Sequence, residues 1–132
     1  MDHVREMVRT HPMRANVFNE AALVACVKAC FDCAAACTTC ADACLSEKSV
    51  QQLVSCIRMN LDCADVCEVT GRLLSRASES SVDFTRAQLM ACREACQACA
   101  KECERHAGHH EHCKVCAEAC RACADACDRM LA

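Results

Sequence analysis

The sequence has no tryptophan, no tyrosine and only three phenylalanines, so the aromatic share of an ordinary core is missing. Breakers are almost as scarce. Gly71, Gly108 and Pro12 are the only glycines and proline in 132 residues, which leaves long segments rich in Ala, Glu, Arg, Lys and Leu. Such segments favour helix. Basic charge is not in excess: 15 Lys and Arg stand against 18 Asp and Glu, for a net charge of −3. Neither nucleic acid nor a membrane is then a favoured partner. The opening residues MDHVREMVRTHPMRANVFNE carry charges throughout and lack the apolar region of a secretory signal. Charged or polar residues interrupt each apolar run, so no membrane span is expected. The expectation is one domain, residues 1–132, in the cytoplasm.

Yet 54% of the residues are hydrophobic, because Ala and 18 Cys supply much of that count. Cysteine at this density marks a disulfide scaffold or a metal protein. Cytosolic thiols are kept reduced, which favours metal.

The sequence divides into a short helical segment before Pro12 and four long helices, Ala15 to Ser46, Lys48 to Ser78, Phe84 to His106 and His109 to Met130. A polar connection runs from Ser78 to Asp83, and Gly108 is expected at a helix C′ position. Short connections make successive helices antiparallel neighbours. The expected fold is therefore all-α, an antiparallel four-helix bundle with a short N-terminal helical segment.

The cysteines follow helical spacing. Helix one has Cys26, Cys30, Cys33, Cys37, Cys40 and Cys44; helix two has Cys56, Cys63 and Cys67. Helix three has Cys92, Cys96, Cys99 and Cys103, and helix four has Cys113, Cys116, Cys120, Cys123 and Cys127. Steps of three and four place the cysteines of each helix on one face, at the seam where Leu would normally sit. A Leu seam would bury more area and stabilise more, so 18 thiols need another use.

Disulfides along a helix fit poorly, since Cβ atoms at i,i+3 and i,i+4 are about 5–6 Å apart and a disulfide wants about 3.8 Å. Zinc needs four ligands per site and usually takes turn-borne CxxC pairs. Iron–sulfur clusters also favour turns. Copper(I) is soft, selects thiolate and accepts two or three sulfurs. Sharing each thiolate between two ions approaches one copper per sulfur and a neutral core. The cargo expected is several Cu(I) ions. Zinc or other soft-metal detoxification and a redox-active thiol protein are the alternatives. No Ser/His/Asp arrangement or inward carboxylate pair is readable, so no enzyme is expected.

One end of such a bundle gathers Cys44, the first interhelical turn and His106, His109, His110 and His112. The other gathers Phe18, Leu23, Thr70, Leu74, Leu89, Met130 and Leu131, which look like a plug. His106 follows Cys103 by three and His109 precedes Cys113 by four, so both extend stripes outward. Asn60 falls where a stripe cysteine is missing and is a candidate thiolate partner or ligand. Glu102 is a weak ligand or a surface charge. A second apolar set, Val24, Val27 and Phe31 with Val54, Ile57 and Leu61, marks a candidate oligomer surface; the alternative is that some of these residues widen the helix contacts within the chain.

The stripe, the segment CIRMNLDCADVC from Cys56 to Cys67 and the segment ERHAGHHEHCKVC from Glu104 to Cys116 resemble the bacterial cytosolic copper storage proteins. The resemblance covers nearly the whole chain. It implies copper(I) storage in the reduced cytosol, a bundle filled from one end and a homotetramer.

Overall fold

The computed structural model describes residues 2–12, 18–76 and 81–132. Five α-helices and one 3-10 turn account for most of them: α1 His3–Thr10, α2 Glu20–Leu45, the turn Val50–Leu53, α3 Val54–Ser75, α4 Val82–Glu104 and α5 Glu111–Leu131. Asn19 defines where α2 starts, its side-chain oxygen accepting from the Ala22 N–H at 3.0 Å, which satisfies one donor the first turn would leave unpaired. The start expected at Ala15 lies in residues 13–17, outside the described residues. Asp2 caps α1 in the same way through the Arg5 N–H at 3.1 Å.

The four long helices form a ring in which α2 packs on α3 and α5, and α4 packs on α3 and α5. Cross-helix sulfur pairs give the register. Cys30 meets Cys123 and Cys40 meets Cys113, while Cys56 meets Cys103 and Cys67 meets Cys92. Partner numbers fall as the first numbers rise, so these neighbours are antiparallel. Arg93–Asp128 at 3.2 Å and Arg121–Glu104 at 2.7 Å clamp the outside of α4 against α5.

Two expectations need correction, and a third is decided between its alternatives. Gly108 does not cap α4 in a left-handed conformation, because no glycine has positive φ. The chain instead turns with every φ negative, ending on an extended His110, with His106 N–H bonded to the Cys103 carbonyl at 3.0 Å and His110 N–H to the His106 carbonyl at 3.0 Å. Second, α2 is long and apolar enough to cross a membrane by length and composition, its best window having a mean hydropathy of 1.6. Ala and Cys supply that hydropathy, and the helix spends it on the bundle, with its cysteine face buried. Third, Val24 and Val27 are buried and Phe31 partly buried within the chain itself. Helix α1 lies over this face and closes a cavity of about 300 Å³ lined by Val4, Met7, Val8, Val27 and Phe31, held also by Lys28–Asp2 at 2.8 Å. Phe31 also sits against Gly71, where an added Cβ would meet its ring at 2.9 Å. Of the second set, Val54 and Leu61 are the ones left exposed.

Candidate metal centre

All 18 cysteines are free and buried, none more than 2% exposed. Their sulfurs form one continuous column. Contacts across helices include Cys67–Cys96 at 3.5 Å, Cys37–Cys120 at 3.6 Å, Cys33–Cys120 at 3.7 Å and Cys56–Cys103 at 3.7 Å. Several sets of four have every ligand atom within 4.8 Å of the others, among them Cys33, Cys63, Cys67 and Cys96, then Cys33, Cys37, Cys63 and Cys120, then Cys37, Cys99, Cys116 and Cys120. The sets overlap, so one sulfur can serve two ions. That is the arrangement a bridging thiolate needs, and it suits a soft monovalent ion better than separate closed tetrahedra.

Burial opposes ionisation throughout the column, while each thiolate that forms draws S–H hydrogen bonds from its neighbours. The two effects divide the set. Hydrogen bonding from Cys103 brings Cys56 down to about 3, and that from Cys127 brings Cys26 down to about 5. Cys123 falls to about 7 for the same reason, with Cys127 again the main donor. At Cys44 and Cys113, beside the histidines, burial dominates, and both are pushed up. These thiols stay protonated at neutral pH until a metal displaces the proton.

Asn60 is fully buried among the sulfurs. Its Oδ1 accepts S–H hydrogen bonds from Cys99 at 3.1 Å, Cys116 at 3.3 Å and Cys103 at 3.4 Å, and its Nδ2 donates to Cys56 at 3.8 Å. The gap in the α3 stripe is therefore filled by an amide that serves four thiols at once.

At the histidine end His112, on the first turn of α5, reaches across to α2. Its Nδ1 lies 3.4 Å from the Cys40 sulfur and 3.6 Å from that of Cys113. With Cys40, Cys44 and Cys113 it completes another four-donor set. A groove between α2 and α5, about 360 Å³ and lined by Ala36, Thr39, Cys40, His112, Val115 and Cys116, brings solvent up to this set. The His106 side chain is 17% exposed and its Nε2 is 2.9 Å from Glu102. His110, 16% exposed, pairs through Nδ1 with Glu47. These imidazoles keep contact with water where the thiols do not. His109 is exposed and stays apart, because α5 begins only at Glu111, with His110 at its N-cap. The helical extension expected to carry His109 along the stripe is not formed. Glu47, which pairs with both His110 and His112, was not among the residues singled out from sequence.

The opposite end is closed. Leu23, Leu74, Leu89, Thr70 and Met130 are buried there, and Phe18 is 9% exposed. The Arg86 guanidinium ties the first turn of α4 to the Leu131 carbonyl at 3.0 Å.

The chain matches the family described as Copper storage protein over residues 19–132. It is similar to the copper storage protein Ccsp of Streptomyces lividans loaded with 10 copper equivalents, at 51% identity and a TM-score of 0.94, covering 97% of both chains. A cytosolic copper storage protein from the same organism, with five coppers, is 55% identical over 84% of this chain and 92% of that one, with a TM-score of 0.82. Copper storage protein 3 of Bacillus subtilis, in its apo form, is 37% identical over 82% and 97% of the two chains, with a TM-score of 0.70. No curated protein matches the sequence. The cysteine column, its overlapping four-sulfur sets and these likenesses agree, and the chain belongs to the copper storage protein family.

Proposed function

We propose that this chain stores copper(I) in the cytosol on the thiolates of its 18 cysteines, loading through the end that carries His106, His110 and His112. The overlap between sulfur sets carries the reading, because it lets ions share ligands along the whole core. The role is sequestration rather than catalysis. The cytosolic setting agrees with a reduced thiol column and with the cytosolic relative.

Anaerobic addition of Cu(I) to the reduced protein, with Zn(II) in parallel, tests this. About one copper per cysteine is expected, and zinc should be displaced by copper. Saturation at one or two ions of either metal would contradict storage.

The histidines supply weaker ligands than thiolate and so capture an ion and pass it inward. Replacing His106, His110 and His112 with Phe should slow loading and leave the final content nearly unchanged. Leu74→Ala with Leu89→Ala at the closed end is the control. Faster loading from that change, with none from the histidines, would place the mouth at the other end.

Family resemblance also implies a homotetramer. Val54 and Leu61, 46% and 49% exposed on α3, give an apolar face for it. Sedimentation equilibrium of the reduced protein giving a single-chain mass would contradict that assembly.

A further inference from the structure

Glu47 sits in the turn after α2, its own N–H bonded to the Cys44 carbonyl at 3.2 Å. One of its carboxylate oxygens meets two imidazoles from the start of α5, Nδ1 of His110 and, at 3.2 Å, Nε2 of His112. The two rings stack, with centroids 5.5 Å apart and planes 27° from parallel. Their remaining nitrogens differ. His110 Nε2 is 3.4 Å from the Ser49 hydroxyl oxygen, whereas His112 Nδ1 faces the Cys40 and Cys113 sulfurs.

A neutral imidazole has one N–H and one lone pair, and a partner on one nitrogen decides which is which. An Nε2–H held by a carboxylate leaves Nδ1 as the lone-pair nitrogen. Here that nitrogen is the one aimed at the outermost thiols. The same pattern recurs on α4, where Glu102 takes Nε2 of His106 at 2.9 Å and Arg105 holds the other Glu102 oxygen at 3.0 Å. Two carboxylates thus anchor two imidazoles by the nitrogen farther from the backbone.

We propose that Glu47 is the positioning residue of the entrance: it fixes His112 in the Nε2–H tautomer, presents Nδ1 to incoming copper(I), and holds His110 beside it as a stacked wall. Glu47 acts through the histidines and does not itself ligate. The inference rests on the storage reading above. It goes further by naming the group that sets which nitrogen His112 offers to the metal.

Glu47→Ala and Glu47→Gln, made in the full chain, test it. Two-bond ¹H–¹⁵N correlation spectra of the reduced, metal-free protein report the His112 tautomer. Anaerobic stopped-flow mixing with Cu(I) reports loading. Wild type and Glu47→Gln, which keeps an acceptor oxygen, should show the Nε2–H form. Glu47→Ala should show a mixture and should load about tenfold or more slowly, with final copper content unchanged. An Nδ1–H tautomer in the wild type, wild-type loading in Glu47→Ala, or loss of the tautomer in Glu47→Gln overturns the proposal. Should the wild type take up no copper, the storage reading fails instead, and the tautomer measurement still stands on its own.

Discussion

Asn60 shows how one side chain conditions a thiol core. A methylene stem and an amide replace a sulfur, yet three S–H donors converge on its oxygen. Removing the acceptor leaves buried donors without their partner, a cost of about 1–3 kcal/mol. Asn60→Ala should therefore lower the urea midpoint of the reduced apo-protein by an amount in that range, while the copper content stays close to that of the wild type. Unchanged apo stability would mean the amide is a spacer only. At this scale the cysteines were legible from sequence, because steps of three and four repeat along α2, α4 and α5. Asn60 was legible as a gap in the same period. Glu47 was not. It lies in a turn, where no period operates, and its partners are 63 and 65 residues further on. An isolated Glu in a turn reads as a solvated charge until α5 is laid across α2.

At the scale of elements, the helices follow from composition, and their ends from local chemistry that the pattern only partly reveals. Asn19 moves the start of α2 to Glu20, and the turn between α4 and α5 needs no positive φ. Gly108 is exposed there and an added Cβ would meet nothing within 4 Å. Gly108→Ala should accordingly stabilise the protein by about 0.4–1 kcal/mol, by restricting the unfolded chain. A loss of stability in urea titration would show that the turn needs glycine after all. Val24, Val27 and Phe31 were readable as apolar, with an oligomer partner or a contact within the chain to cover them, but α1 was not readable as the cover, because it returns over α2 only in three dimensions. The apolar content of α2 likewise suits a core helix. Of its charged residues, Lys28, Asp32 and Asp42 fall on exposed positions, and Glu20 is half-buried in the first turn.

The whole molecule couples metal to protons. Burial holds Cys44 and Cys113 protonated at neutral pH, so each copper that binds there releases a proton. Sulfurs already lowered, such as Cys56 and Cys26, release less. The sign follows: added acid competes with copper, and affinity falls as pH falls. Loading in weak buffer with a pH indicator should therefore register proton release with the ions that bind Cys44 and Cys113. No proton release, or affinity that is flat from mildly acidic to neutral pH, would contradict thiolate ligation there.

The central claim is that copper occupies the column as clusters joined by shared cysteine sulfur. Copper-edge X-ray absorption of the fully loaded, reduced protein tests it most directly. Cu(I) with roughly two to three sulfur neighbours and a clear short copper–copper scattering path is expected. A shell dominated by nitrogen or oxygen, or sulfur ligation without any copper–copper path, would contradict it.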